Sequence, residues 1–393
     1  MAQQEKRNLE TIPVGSLGLI PLEGCQKLAS KIDAYLVKWR TERESEHKNT
    51  LAFSGYQRNS YILDAKVPRF GSGEAKGIIN ESVRGSDLYL LVDVCNYSIT
   101  YSLGEEENHM SPDDHYQNLK RIIAAVGGKA RRITVIMPFL YEGRQHKRSA
   151  RESLDCAIAL QELVKMGVDN IITFDAHDAR VQNAIPLFGF ETVQPAYQHI
   201  KGLLKHVKDL KIDAEHMSII SPDEGGMSRA IYIANVLGLD MGMFYKRRDY
   251  TQIVDGKNPI VAHEFLGSDI AGKDVIVIDD MIASGDSIID VASELKRRKA
   301  KRIFIFATFG LFTKGLERID QAVKDGYIDK VLTTNLIYQP KELLDREWYI
   351  SCDMSKYIAY IIDTLNHDSS ISDLLNPYDR INNLIGRYER GEY

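Results

Sequence analysis

Residues 275–287, with the sequence VIVIDDMIASGDS, place two adjacent carboxylates after an apolar, β-branched run and before a loop of small polar residues. The run at 275–278 predicts a buried strand. Apolar residues recur at helical spacing over 288–296, so we expect the loop at 284–287 to open a helix. The stretch thus predicts a strand, a loop and a helix, with the acidic pair at the end of the strand.

The predicted helix start has the features of a phosphate site. Unpaired backbone N–H groups and the positive end of the helix dipole favour an anion, and small residues let it approach the backbone. The loop contains no lysine, which argues against a Walker A phosphate loop. Asp279 and Asp280 suit ribose hydroxyls or the water around a divalent cation. An acidic turn in solvent is the alternative for a lone Asp-Asp pair, and the attached Ser-Gly-Asp-Ser sequence favours a phosphate-sugar site.

Length, charge and cysteine content narrow the class of protein. A chain of 393 residues is too long for one ordinary core, so we expect two domains. The net charge of −5 argues against sequence-independent binding of nucleic acid. The N-terminus lacks an apolar signal region and no apolar stretch could span a bilayer, so we expect a soluble cytoplasmic protein without a membrane partner. The widely spaced cysteines are typical of reduced thiols and have no zinc-binding spacing.

From residue 87 onward, strand-like apolar runs alternate with helical segments, which is typical of an α/β fold with a mainly parallel sheet. Strands are predicted at residues 88–94, 133–137, 171–174, 217–220, 241–245, 275–278, 302–307 and 330–334. One helix is predicted to begin after Ser111 as N-cap, with Pro112 at the first helical position, and another covers 152–166. These helices are expected to pack on the sheet.

Polar and charged residues follow several of the predicted strands. Ligands of open α/β sheets bind beyond the carboxyl ends of the strands, so these residues are site candidates. They lie at 144–148, 175–178, 221–229 and 246–248. Each alone is more often a loop residue or a solvated patch, but their joint placement at successive strand ends favours a site. Such cations and acids suit phosphoryl transfer, in which positioning and charge neutralisation with Mg²⁺ dominate.

An ordered set of motifs resembles the ribose-phosphate pyrophosphokinases, also called phosphoribosyl pyrophosphate (PRPP) synthetases. The set runs from Phe70-Gly-Ser-Gly-Glu74 through Asn80-Glu-Ser-Val-Arg-Gly85, Arg144-Gln145, Asp175-Ala-His177, Ser221-Pro-Asp-Glu-Gly-Gly226 and Lys246-Arg-Arg248 to Asp279-Asp280. The resemblance implies transfer of the pyrophosphoryl group of ATP to the C1 hydroxyl of ribose 5-phosphate, giving PRPP and AMP with Mg²⁺ for nucleotide biosynthesis. It also implies two phosphoribosyltransferase-like α/β domains, each with a mainly parallel central sheet flanked by helices, in a homodimer or homohexamer.

The motifs and the resemblance together suggest domain boundaries. Residues 1–60 are expected to form an N-terminal extension with a helix, and residues 61–195 the N-terminal phosphoribosyltransferase-like domain. Residues 196–350 are expected to form the C-terminal domain with the ribose-phosphate loop. A helix near 355–368 is expected to return to the first domain, and residues 373–393 to form a tail.

Carried over position by position, the resemblance implies roles for individual residues. Lys246 and Arg248 are implied to be catalytic, on a mobile loop that stabilises the transferring group. The implied ATP contacts are Phe70, Glu74, Arg144, Gln145 and His146, of which Phe70 and Glu74 reach the adenine of a neighbouring subunit. The implied ribose 5-phosphate contacts are Asp279, Asp280, Ser284, Gly285, Asp286 and Ser287. His177 and Asp223 are implied to be associated with the magnesium ion.

Several positions depart from the family pattern. Ser72 stands where the family usually has the aspartate of Asp-Gly-Glu, and His146 also replaces a usual aspartate. In the phosphate loop, Ala283 replaces the first acid and Asp286 replaces a late glycine. Asp286 places a negative charge where phosphate should bind, so we expect its side chain to point outward or to cap the helix while its backbone N–H binds.

Three functions stay open at this point. The first is an active PRPP synthetase, and the second is a non-catalytic homologue that regulates an active synthetase. The third is a phosphoribosyltransferase that consumes PRPP at the same loop. The presence of Lys246, Arg248, His177 and Asp223 argues against the second function. The third needs only one α/β domain and leaves the basic loop after Arg144 unexplained.

Overall fold

In the computed structural model, residues 11–44, 55–248 and 260–392 are described, with side chains except at 44, 246–248 and 260–263. The strands are β1 (Ser16–Pro21), β2 (Ala65–Lys66), β3 (Ile78–Ile79), β4 (Ser86–Leu91), β5 (Thr100–Leu103), β6 (Glu106–His109), β7 (Arg132–Ile136), β8 (Asn170–Phe174), β9 (Gly189–Val193), β10 (Met217–Ser221), β11 (Asp240–Arg248), β12 (Ile260–Leu266), β13 (Asp274–Ile282), β14 (Ile303–Gly310), β15 (Lys330–Thr334) and β16 (Tyr349–Cys352).

The α-helices are α1 (Gln26–Glu44), α2 (Pro112–Val126), α3 (Asp155–Lys165), α4 (Ala196–His206), α5 (Met227–Leu237), α6 (Asp286–Arg297), α7 (Glu317–Lys324), α8 (Lys341–Leu344), α9 (Ser355–Asn366), α10 (Ser372–Leu375) and α11 (Tyr378–Glu389). A 3₁₀ helix covers Ala179–Ala184. None of the described helices is long and apolar enough to cross a lipid bilayer.

The described residues fold into two compact units. Unit 1 contains the residues up to Gln194 together with 335–338 and 353–376, and unit 2 contains the others. The range 1–60, set apart above as an extension, includes β1 and α1 of unit 1. The helix predicted near 355–368 is α9, in unit 1, and the predicted tail includes α11, in unit 2.

Unit 1 is built on a parallel sheet with the strand order β1-β4-β7-β8-β9. Strand β4 is buried along its whole length, as expected for a strand covered on both faces. Helix α2 begins with the predicted cap: the Ser111 hydroxyl accepts from the backbone N–H of Asp114, and the Asp114 carboxylate accepts from the backbone N–H of Ser111. The cap fixes the point at which the helix begins.

Unit 2 has a larger sheet with the order β12-β11-β10-β13-β14-β15-β16, in which only the β11–β12 pair is antiparallel. Strand β13 lies at its centre. Val275 and Val277 pack in a cluster with residues of α6, whereas Ile276 and Ile278 pack in a second cluster with residues of α4, α5 and α11. This alternation explains the continuous apolar run, because both faces of the strand are buried.

The predicted fold class is confirmed: each unit has a mainly parallel central sheet with helices. One predicted boundary within residues 275–287 was wrong. Strand β13 continues to Ile282, so Asp279 and Asp280 lie within the strand and not after it. The strand continues because its pairing with β14 extends as far as Ile282 opposite Gly310.

A buried ion-pair network joins α1 to α9 within unit 1. Arg40, only 1% exposed, donates from Nε to Asp363 Oδ1 at 3.3 Å and from Nη2 to the Asn366 side chain at 2.6 Å. Arg43 also donates to the Asp363 carboxylate. Burial works against ionisation, but Arg40 and Arg43 hold the pKa of Asp363 below its usual range. The network therefore depends on a charged Asp363.

Replacing Asp363 by asparagine should leave two arginines without their counter-charge. We expect Asp363→Asn to lower the free energy of unfolding by roughly 3 kcal/mol at neutral pH, as for other broken buried ion pairs. A lowered carboxyl pKa contributes stability that is lost as pH falls through it, so the deficit should close only below the ordinary value of 3.8. Urea unfolding at several pH values measures this, with the exposed Asp373→Asn as control. An equal effect of both substitutions would contradict the network's role.

Candidate functional site

An acidic pair lies near the carboxyl end of β13, in the middle of unit 2. The backbone N–H of Asp280 donates to Asp279 Oδ1 at 2.8 Å, so the two residues are tied together locally. Burial, followed by the neighbouring charges of Asp280 and Asp223, raises the pKa of Asp279 well above its usual range. Burial and the neighbouring carboxylates thus oppose the ionisation of Asp279, and a ligand that brings positive charge or donates hydrogen bonds would favour the ionised form.

The loop after β10 brings Asp223 to this acidic pair. Asp223 Oδ1 accepts from the backbone N–H groups of Gly225, at 2.9 Å, and Gly226, at 3.3 Å. A Cβ on Gly226 would lie 2.8 Å from the Ser221 hydroxyl oxygen, which is too close. Glycine at 226 thus permits a tight loop in which the Asp223 carboxylate is held in one orientation.

Arg229, in the first turn of α5, is a site residue to which the sequence analysis gave no role. Its Nη2 lies 3.8 Å from Asp280 Oδ2, and its side chain is buried. Arg229 and Asp223 both follow β10, so the arginine lies within residues 221–229, one of the candidate site ranges at the ends of predicted strands. The described part of unit 2 thus joins Asp223, Arg229, Asp279 and Asp280 at one sheet edge.

The loop between β13 and α6 has the predicted helix-opening form. Gly285 is the N-cap residue with φ of 86°, a left-handed conformation that glycine adopts without strain. The first N–H groups of α6 have no partner within the helix, as at any helix start. The segment after β14 lies alongside, since the Thr313 backbone N–H donates to the Ala283 carbonyl at 2.8 Å. Ser284 and Ser287 flank the turn.

The structure accounts for the unexpected charge of Asp286 in this loop. Its carboxylate is paired with Lys314 Nζ at 2.7 Å and with the Arg318 guanidinium, and it accepts from the Ser284 hydroxyl at 3.0 Å. The hydrogen bond from Lys314 is the main cause of a lowered Asp286 pKa. Two cations thus accompany one added anion, and the loop retains net positive charge from these side chains. Neither cation was predicted from the sequence.

Lys246 and Arg248, the implied catalytic residues, lie in the last part of β11 rather than in a loop. Their backbone pairs with β12, with Lys246 opposite His263 and a register shift between Arg247 and Arg248. This pairing was not predicted because β12 was not recognised. The side chains of 246–248 lie outside the described part of the chain, so their roles stay predictions.

In unit 1, the Phe70–Glu74 loop is closed on itself and presents its side chains to solvent. The Phe70 backbone N–H donates to the Glu74 carbonyl at 2.7 Å, and the Gly73 N–H donates to the Phe70 carbonyl at 2.9 Å. The Phe70 side chain is 52% exposed. At the departure from the family pattern, the Ser72 hydroxyl donates to Glu74 Oε2 at 2.9 Å. Ser72 therefore helps to orient Glu74.

His146 and His177 are brought together in unit 1, with ring centroids 5.4 Å apart. His146 Nε2 lies 3.4 Å from Asp178 Oδ2. Within residues 11–44, 55–248 and 260–392, the buried His146 Nδ1 has no hydrogen-bond partner. A buried polar atom of this kind calls for a water or a ligand group. An implied ATP contact and an implied metal-associated residue are thus neighbours.

The turn that carries Arg144 and Gln145 is fixed to the rest of unit 1. The Gln145 side chain donates to the Ser153 carbonyl, and the Tyr141 hydroxyl donates to Asp113 Oδ1 at 2.6 Å in the first turn of α2. Arg144 is exposed. The Arg144 side chain is therefore accessible from solvent, while the hydrogen bonds of its neighbours hold the turn in place.

The implied metal site is only partly built from side chains. In the part of the chain that the structure describes, no three His, Cys, Asp or Glu side chains form a metal-binding group. Mg²⁺ commonly takes one or two carboxylates and completes its shell with water and substrate phosphates. The oriented carboxylate of Asp223 and the neighbouring carboxyl groups of Asp279 and Asp280 are oxygen ligands that suit such a cation.

Comparison with known proteins identifies both halves of the chain. Residues 17–167 match the N-terminal domain of ribose phosphate pyrophosphokinase, and residues 190–343 match the phosphoribosyl transferase domain. Ribose-phosphate pyrophosphokinase of Vibrio cholerae is 30% identical over 318 residues, covering 80% of this chain and 91% of that protein. The Pasteurella multocida protein of the same name is 31% identical over 316 residues, covering 79% and 90%.

The fold is also that of a solved structure. Phosphoribosylpyrophosphate synthetase from Mycobacterium smegmatis superposes with a TM-score of 0.68 at 21% identity, covering 90% of this chain and all of that one. The two matched domains follow one another in the order that the motifs require. Together with the length of the match to the curated relatives, this shows that the chain belongs to the ribose-phosphate pyrophosphokinase family.

Proposed function

We propose that this protein is an active PRPP synthetase. The C1 hydroxyl oxygen of ribose 5-phosphate attacks the β-phosphorus of ATP, the bond to the α,β-bridging oxygen breaks, AMP leaves and the hydroxyl proton is released. The observation that carries the proposal is the carboxyl edge of the unit 2 sheet, where Asp279 and Asp280 lie near the end of β13 and the strand leads into a helix-opening loop. The relatives named above support the same reaction.

The carboxyl edge of the unit 2 sheet suits ribose 5-phosphate. Carboxylates accept hydrogen bonds from the vicinal hydroxyls of a ribose, which assigns Asp279 and Asp280 to the sugar. The first N–H groups of α6, from Asp286 and Ser287, suit the 5-phosphate because a helix start stabilises an anion. Lys314 and Arg318 offset the charge of Asp286, so that this residue does not repel the phosphate.

We propose that Mg²⁺ is held near Asp223 in unit 2. His177, in unit 1, is assigned to magnesium separately, on the family resemblance alone. When bound, the cation supplies charge neutralisation to the transferring phosphoryl oxygens. The fit rests on the chemistry of unit 2: Asp223 is oriented by two backbone N–H groups, and it lies close enough to Asp279 for its charge to raise the pKa of that carboxyl.

The nucleotide would be held by cations and by an aromatic side chain. We assign Phe70, Glu74, Arg144, Gln145 and His146 to ATP, and Lys246 and Arg248 to the transferring group. Arginine contacts phosphate through two N–H groups, and lysine supplies a mobile point charge. We also propose a homodimer or homohexamer, in which the exposed Phe70 side chain meets the adenine of a neighbouring copy.

Purified protein supplied with ATP, Mg²⁺ and ribose 5-phosphate should form AMP and PRPP in equal amounts. Phosphorus NMR follows both products together and separates this reaction from simple ATP hydrolysis, which would give no PRPP. Absence of PRPP across a range of phosphate and metal concentrations would exclude an active synthetase and favour a regulatory homologue.

Substitution of Lys246 tests the catalytic assignment. Because the cation should act on charge that develops in the transition state, Lys246→Ala should lower kcat by about a hundredfold or more and change the dissociation constant for ATP only slightly. Steady-state kinetics and equilibrium ATP binding give the two quantities. Lys324→Ala, an exposed lysine on α7, is the matched control. A normal kcat in Lys246→Ala would remove this residue from catalysis.

Substitution of Asp279 tests the acidic pair. A carboxyl with a raised pKa gives stability that is present below the unfolded pKa and is lost as pH rises through the folded value. Wild-type stability should therefore fall between about pH 4 and about pH 8, whereas Asp279→Asn should lose less and be the more stable protein at the alkaline end, by roughly 2 kcal/mol.

The same variant should have little PRPP-forming activity, because the amide removes one acceptor for the ribose hydroxyls. Thermal melts across this pH range and the activity assay are the measurements. Asp290→Asn, at an exposed position of α6, should match wild type in both. An Asp279→Asn protein that is less stable than wild type at alkaline pH would show that the charged pair stabilises the fold.

A further inference from the structure

The Phe70–Glu74 loop is held in place by the residue that precedes it. Arg69 Nη1 donates to the Gly73 carbonyl at 2.9 Å, which closes the loop from inside. Arg69 Nη2 donates to Asp114 Oδ1, also at 2.9 Å, in the first turn of α2. The arginine side chain is only 13% exposed, so both bonds are shielded from water. One guanidinium thus connects the loop to a helix.

Asp114 is itself fixed. Its Oδ2 accepts from the backbone N–H of Ser111 at 3.0 Å and from the Ser111 hydroxyl at 2.9 Å. These bonds and the contact with Arg69 lower the Asp114 pKa although desolvation opposes this. The carboxylate therefore stays charged and joins the cap of α2 to Arg69.

The hairpin formed by β5 and β6 supports the other side of the loop. The Arg69 guanidinium carbon lies 3.9 Å from the centre of the Tyr101 ring, a cation–π contact. Leu103 of the same strand reaches Gly73, where an added Cβ would lie 3.2 Å from Leu103 Cδ1. Gly73 has φ of 86°, so the loop conformation depends on this position. The hairpin thus packs against the turn of the loop.

We propose that Arg69 and Tyr101 are positioning residues that keep the Phe70–Glu74 loop in its nucleotide-binding shape, with the β5–β6 hairpin as a brace. The proposal rests on the proposed function, because it takes Phe70 and Glu74 as nucleotide contacts. Neither Arg69 nor Tyr101 needs to touch the nucleotide.

The brace solves a physical problem of this loop. A half-exposed phenylalanine has little to pack against, and an unsupported loop would have to be ordered whenever the nucleotide binds. Each side chain ordered at that moment costs about 0.5–1.5 kcal/mol of affinity. Contacts from Arg69, Tyr101 and Leu103 order the backbone beforehand and leave the Phe70 ring available for stacking. Loss of the brace should therefore weaken nucleotide binding without changing the ribose 5-phosphate site.

Steady-state kinetics of Tyr101 variants test this inference. Tyr101→Ala removes the ring and should raise the KM for ATP about tenfold, with the KM for ribose 5-phosphate and kcat changed less than about threefold. Tyr101→Phe keeps the ring face and should behave as wild type. Glu105→Ala, at the exposed tip of the same hairpin, is the matched control. An equal rise of both KM values, or no rise, would overturn the inference.

Hydrogen–deuterium exchange supplies a readout that needs no activity. Peptides covering residues 68–76 should exchange faster in Tyr101→Ala and in Arg69→Lys than in wild type, while α9 is unchanged. Unchanged exchange in both variants would exclude the brace. If the wild-type protein forms no PRPP, the proposed function fails, whereas the exchange experiment still decides whether the hairpin holds the loop.

Discussion

The burial of β13 on both faces is the constraint on which the rest of the site in unit 2 depends. Alternate residues of 275–278 pack with α6 and with α4 and α5, so the strand has no solvent face along this stretch. Asp279 and Asp280 come immediately afterwards and remain close to the apolar interior. Burial and their mutual repulsion oppose the ionisation of Asp279. Any ligand that donates hydrogen bonds or brings positive charge relieves both effects, and the helix start that follows adds a place for an anion.

Much of this fold could be predicted from the sequence because its central elements have strong local signals. The apolar run of β13 and the Ser-Pro-Asp-Asp opening of α2 are both present as predicted, the latter with its reciprocal cap. The β5–β6 hairpin escaped prediction because its residues are largely polar. Strand β12 is mostly apolar but was not recognised as a partner of β11. Such strands exist through pairing with a neighbour, as β12 pairs with β11, and that pairing has no local signature.

The candidate site was likewise predicted only in part. The acidic pair and the loop after it were predicted from adjacent residues, but the partners of Asp286 were not. Lys314 and Arg318 reach the loop because β14 pairs with β13 in parallel, which places the two strand ends side by side. Both cations follow β14, a strand whose carboxyl end was not among the predicted site positions. The substitution at 286 is therefore a compensated change in which the added carboxylate comes with counter-charges from the neighbouring strand end.

The lowered stability caused by the acidic pair bears on whether the protein is an enzyme or a regulatory homologue. A raised carboxyl pKa means that the folded protein is less stable at neutral pH than it would be with an uncharged side chain at position 279. Residues that lower the stability of the folded protein are typical of ligand-binding sites, because binding of the ligand offsets their unfavourable energy. A subunit that only contacts another protein has no use for two buried carboxylates beside a fixed third one at Asp223. The electrostatics of unit 2 therefore support the proposal of a ligand-binding, active chain over that of a purely regulatory homologue.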